Sequence, residues 1–246
     1  MIWLSSVLSQ PAIAKESIKP VLPELYFVDD DHAELFNTVI VQDFKGRMKP
    51  MQTLSNELMR KVTGKTKYNG VSASTTVLSM YADAQSWYSA PMIGYGKNAV
   101  IADAVGVSPG NLASYKDFFF EDGSYKLSGE IRDATSKNPA ERGMYEKQLL
   151  KVDERVNIVG MIFAGSFFKV IPIEGDENNT WVGERSSRQT SEEITSPIAQ
   201  AFFSTYRRAL YDAMQSVESG EPRTLKPSDP AEQIPCLNSG GGRNLK

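Results

Sequence analysis

Four charged side chains, Lys151, Asp153, Glu154 and Arg155, gather around Val152 in KQLLKVDERVNIVGMIF, Lys147 to Phe163, an otherwise apolar stretch. Such a cluster has three uses: acid–base chemistry, a solvated helix surface, or a polar lock on another segment. On a helix, Val152, Val156 and Val159 face one way. Lys151 and Arg155, four apart, share a flank, while Asp153 and Glu154 point elsewhere. The bland reading is a solvated charged face. In the sharper one, Arg155 and Asn157 lie beside the apolar stripe, and the guanidinium binds backbone carbonyls or a carboxylate of a crossing loop. The GRMKP turn, which carries Arg47 and Lys49 and needs anchorage, is the expected partner. Arg47, Lys49, Asp153, Glu154, Arg155 and Asn157 therefore form one candidate polar motif.

Outside that motif little chemistry is spelled out. His32 is the single histidine, so a Ser-His-Asp or Cys-His arrangement would have to use it. No GxSxG elbow supplies a serine, and the lone cysteine, Cys236, lies in a Pro/Gly/Ser-rich tail. Asp29, Asp30, Asp31 and His32 are consecutive, so their side chains splay, and EF-hand spacing is absent. No metal site is expected there; Asp31 is expected to cap a helical turn over 32–36. The glycines follow neither the P-loop nor the dinucleotide pattern. No carboxylate pair suits glycoside chemistry. Asn178-Asn179-Thr180 matches a glycosylation sequon. Trp87, beside Tyr88, and Trp181 read as core or loop anchors, or as ligand platforms. The chain spells out no self-sufficient catalytic set, and whether it is an enzyme stays open.

The elements that must position these residues are mostly helical. Met51, Leu54, Leu58, Met59 and Val62 fall on helical spacing, with Pro50 expected at the first helical position and Gly64 as the stop. A second helix runs from a Ser72 cap to Ala82. Helices over 125–138 and 139–165 follow, with Pro139 near the start of the latter, and Leu149, Val152, Val156, Val159 and Phe163 make an inward stripe. Ile194, Ile198, Phe202, Tyr206, Leu210 and Met214 carry a last amphipathic helix. Short strands are expected over 38–43 and in FFKVIPI, which Pro172 stops, and EGDENNTW reads as a polar loop. Ser114 caps the stretch leading to Phe118, Phe119 and Phe120, a run expected to be buried on several sides. The fold class is mainly α with a few short β-strands (α+β), a single helical domain with a disordered C-terminal tail.

Composition is that of a globular protein: 246 residues, 41% hydrophobic and 23% charged. The formal net charge is −3 and the basic residues are scattered, so a nucleic-acid partner is not expected. Residues 1–14, MIWLSSVLSQPAIA, are apolar and uncharged and end in a small-x-small pattern. They read as a degenerate signal, as the last turns of a membrane helix, or as a buried or frayed helix. Residues 15–24, with Pro20 and Pro23, form a linker, 25–218 the main domain, and 219–246 the disordered tail.

Several stretches, taken together, resemble one family. YFVDDDHAELFNTVIVQDFKGRMKPMQTLSNELMRKVTG, SYKDFFFEDGSYKL, NPAERGMYEKQLLKVDERVNI and FFKVIPIEGDENNTW occur in the order and at the spacing of the system II cytochrome c biogenesis fusions, the Ccs or ResB/ResC type. The resemblance runs from about Leu25 to Val217 and is to their large extracytoplasmic domain. It implies a membrane-anchored domain on the outer, periplasmic face. The whole protein would carry haem outward and present it to apocytochrome c for thioether formation with CxxCH. Haem is then cargo, and the partners are apocytochrome c and the membrane-embedded haem-handling module. The tryptophan-rich ligand segment of that module has no match here, so its ligands are not carried over. His32 falls on a histidine of the family's H-A-E-x-F stretch; with Trp87 and Trp181 it is a candidate haem or partner contact. Family members continue into further helices and membrane spans, so the chain is expected to be a fragment. The alternative is a generic α-helical protein-interaction module with no haem role.

Overall fold

A computed structural model describes residues 25–96, 98–108, 112–173, 175–184 and 197–218, with backbone only for 197–199 and 216–218. The apolar 1–14 stretch, the 15–24 linker, Gly110, Ile194, Cys236 and the 219–246 tail lie outside the described residues.

Helix α1, Asp30–Asn37, is capped by Asp29, whose carboxylate accepts from the His32 amide at 2.8 Å. The cap is thus Asp29 and not Asp31: Asp29 holds the extended backbone that an N-cap needs, and Asp30 and Asp31 fall within the first turn. Strands β1, Ile40–Gln42, and β2, Met48–Pro50, pair antiparallel. Their tight turn depends on Gly46 at φ 78°. Pro50 ends β2 and stands just outside helix α2, Met51–Thr63, one position earlier than expected, because the Met51 amide is still bound to the Val39 carbonyl at 2.8 Å. The apolar face of α2 is buried as its spacing requires.

Strands β3, Lys67–Tyr68, and β4, Val71–Ser72, form a hairpin around Asn69-Gly70, both at positive φ. Ser72 then caps α3, Ala73–Ala82, accepting from the Thr75 amide at 3.1 Å. All ten residues of α3 are buried. It is the axis of the molecule, packed by α1 and α2 and by the later long helices. The short α4, Ala84–Trp87, leads to β5, Ile93–Gly94; α5, Ala99–Val105, follows, and β6, Leu112–Ala113, returns to pair with β5. A 3-10 turn over Tyr115–Phe118 is closed by a Ser114/Asp117 capping box. Phe118 is buried and Phe119 half-buried, but Phe120 is 55% exposed, its ring under the Lys126 ammonium. The aromatic run is therefore not sealed throughout: its extended backbone turns successive side chains to opposite sides.

Helix α6, Ser128–Ser136, packs on α7, Met144–Phe163. The break between them covers 137–143, so Pro139 sits in a turn rather than at a helix start. Leu149, Val152, Val156 and Val159 are buried along α7, with Phe163 packed at the edge of the core. Each such side chain contributes about 1.5–3 kcal/mol on burial. Strands β7, Ile171–Pro172, and β8, Trp181–Val182, pair as a hairpin, so Pro172 lies within a strand rather than beyond it. Helix α8, Pro197–Glu218, buries Phe203, Tyr206, Leu210 and Met214. The fold is mainly α with short antiparallel two-stranded pieces around one core. Among the described residues no helix is long and apolar enough to cross a membrane.

Candidate functional site

Helix α7 separates its charges by geometry. One flank carries Asp153, Glu154 and Asn157 and faces α2 and the β1–β2 turn; the other carries Lys147, Lys151 and Arg155 and faces β5. The buried valine stripe runs between them.

On the first flank lies an open groove of 530 Å³. Its floor is apolar, from Leu54, Leu58 and Ile158, and its walls bring Arg47 and Lys45 opposite Asp153 and Asn157. The Gly46 turn and the Asp153 segment thus share one groove. Among the described residues, however, no hydrogen bond or ion pair joins them. Glu154 pairs with Lys61 of α2 at 2.5 Å, and Asn157 donates to Asp153 at 3.0 Å.

The turn is locked by a residue that the sequence reading left out. Asp43 is buried, with its side chain 6% exposed, and gathers donors from its own hairpin. Its Oδ1 accepts from the Lys45 and Arg47 amides at 2.8 and 3.0 Å. Its Oδ2 accepts from Arg47 Nε and Nη2 at 3.0 and 2.8 Å and lies 2.9 Å from Lys49 Nζ. Lys49, only 10% exposed, also reaches Glu57 at 2.8 Å. Burial pushes the Asp43 carboxyl up, but the hydrogen bonds from Lys49, Arg47 and Lys45 outweigh it and hold the group far below the usual carboxylate range. The signal was present in DFKG: an aspartate opening a turn whose fourth position is glycine.

Arg155 does bind a backbone carbonyl, but not in the GRMKP turn. Its guanidinium donates to Gly94 of β5, and Gln148, two turns earlier, donates to the Tyr95 carbonyl at 2.9 Å. The expected pairing fails because Arg155 projects from the flank of α7 opposite the groove. Burial lowers the guanidinium from its ordinary value, with Glu154 opposing. Next to this anchor is a second cavity, of 420 Å³, lined by Lys147, Lys151 and Arg155 among others.

The three candidate contact residues occupy separate environments. His32 Nε2 lies 3.0 Å from the Tyr206 hydroxyl, so α1 is tied to α8. Burial lowers the imidazole from its ordinary value, against the pull of Asp29. Trp87 is fully buried between Phe27 and Tyr68 and presents no open ring face. Trp181 is half-buried in β8, where its amide donates to the Gln42 side chain at 2.8 Å. Among the described residues no three His, Cys, Asp or Glu side chains converge as a metal site requires.

A last polar contact was not legible. Arg207 of α8 pairs with Glu184 at 2.7 Å, donates to the Phe163 carbonyl at 3.2 Å, and stacks over the Tyr81 ring at 4.3 Å. Gly165 makes room for it: a Cβ there would meet Glu184 Oε2 at 2.5 Å and Tyr81 Cε2 at 2.7 Å.

Fold and site together define a mainly α domain with a groove of mixed charge on one flank of α7 and a cation-lined cavity on the other. No family model matches the chain. Over 152 residues it is 40% identical to Protein NrfI of Wolinella succinogenes. The shared stretch is 62% of this chain and 17% of NrfI, so the chain spans less than a fifth of the length of that curated relative.

Proposed function

We propose that this is the extracytoplasmic domain of a cytochrome c biogenesis protein of the system II type. In that role it is membrane-anchored and supports haem delivery and attachment to apocytochrome c at the outer face of the membrane. The observation that carries the reading is the 40% identity to a short part of NrfI, a similarity that supports a cytochrome c maturation-type protein. The family resemblance of the ordered motifs from Leu25 to Val217 supports the finer assignment. So does the geometry: the turn and helix motifs of that resemblance form the walls of one groove, open to a docking neighbour. The partners are the membrane-embedded haem-handling module and apocytochrome c, with haem as cargo.

A second reading, an α-helical interaction module with no haem role, is favoured by one feature. His32 Nε2 is engaged by Tyr206 and Trp87 is sealed, so two of the three candidate contacts offer nothing to a porphyrin as they stand. Titrating haem into the purified domain, alone and together with the membrane module, separates the two. A Soret shift that needs the domain supports the first reading. A Soret band that is the same with and without the domain leaves the second.

A further inference from the structure

The cationic flank of α7 does not enter the function proposed above. Lys147, Lys151 and Arg155 recur every four residues on one helix face, about 6 Å apart along the axis. They line the 420 Å³ cavity with Tyr95, Val152 and Met144, and among the described residues no carboxylate lines it. Three lysines elsewhere are ion-paired: Lys49 with Asp43 and Glu57, Lys61 with Glu154, Lys137 with Glu146. Lys147 and Lys151 make no ion pair among the described residues, and Arg155 Nε is buried without a partner. In a chain of net charge −3, an unneutralised row of cations around a concavity is charge left for a partner to complete.

We propose that this cavity docks an acidic polypeptide segment whose carboxylates repeat at about 6 Å, on successive turns of a helix. Concavity favours a polypeptide over a membrane, since a lipid plane cannot enter a recess between α7 and β5. The length of the row favours it over a small anion, which would engage one end only. Met144, 86% exposed at the mouth, supplies an adaptable apolar contact beside the charges. The proposal holds whether or not the domain serves cytochrome c maturation.

The test uses the full chain and a fluorescent alanine-based helical peptide with glutamate at every fourth position, read by anisotropy at low and physiological salt. Binding is expected to weaken at least about tenfold in Lys147→Gln/Lys151→Gln, to persist in Lys147→Arg/Lys151→Arg, and to fall as salt rises. Both lysines are solvent-exposed, so these variants keep the fold, and thermal melts check it. Equal affinity for a peptide with glutamine in place of glutamate, or undiminished binding to the Gln variant, overturns the proposal. So does a preference, through the same lysines, for vesicles of anionic lipid, for single-stranded DNA, or for inorganic phosphate alone.

Discussion

The Arg155 guanidinium donates to the Gly94 carbonyl, 61 residues earlier, and so fastens the 20-residue helix α7 to the β5 segment. With Gln148 holding the Tyr95 carbonyl, two side chains on one face of α7 satisfy two successive backbone acceptors. Arg155→Ala leaves the Gly94 acceptor half-buried and unpaired. The variant is expected to lose about 1–3 kcal/mol of stability in urea titration at neutral pH. Arg155→Lys is expected to recover only part of that, because a single ammonium does not reproduce the planar fork. A loss within about 0.5 kcal/mol for the alanine variant would show that water replaces the bond at no cost.

Asp43 sets a pH-dependent contribution. Its folded value lies below the ordinary 3.8, so the stabilisation is complete above that ordinary value and is lost as pH falls through and beneath it. Urea midpoints taken from neutral pH down to about pH 3 should fall for the wild type and show a flatter acid limb in Asp43→Asn. At neutral pH Asp43→Ala is expected to cost about 3–5 kcal/mol, since it strands Lys49 with only the half-exposed Glu57. Parallel acid limbs in wild type and Asp43→Asn would sink the assignment.

The long helices were legible because burial repeats with the helical period. The stripes of α2 and α7 and the Ser72 cap follow from spacing alone. Tertiary partners did not follow. Arg155 beside an apolar stripe foretold a carbonyl partner, yet nothing local distinguishes Gly94 from the GRMKP turn, and only the crossing of β5 over α7 decides it. The Asn69-Gly70 hairpin went unread although its dipeptide is a strong turn signal, because its strands are two residues each and carry no alternation. Asp43 was read as a strand end; its role appears only when the turn folds its own amides back onto the carboxylate.

Because His32 is the only histidine, its titration can be followed without assignment ambiguity. Burial against Tyr206 holds it below the ordinary 6.5 in the folded state. The unfolded chain therefore binds the proton first. Stability from this group is whole above about pH 6.5 and declines as pH drops from there toward the folded value. The ring proton resonance should titrate with a midpoint under 6.5. A midpoint at or above it would mean that the α1–α8 contact is open in solution.

Gly165 stands at φ 71° where the C-terminus of α7 meets Glu184, Tyr81 and Arg207. Alanine there faces two penalties at once. The backbone sits in the left-handed region, and the added carbon would press on the buried Tyr81 ring and on the carboxylate that pairs with Arg207. Neither the ring nor the ion pair can retreat without loosening α8, so Gly165→Ala is expected to cost at least about 2 kcal/mol and to speed amide exchange in α8 before the rest of the fold. Gly64→Ala gives the contrast, since it shares positive φ but has no atom near its Cβ; it should cost about 1 kcal/mol from backbone strain alone. If the two substitutions cost the same, crowding at the Arg207 clasp contributes nothing, and α8 is held by its apolar face alone.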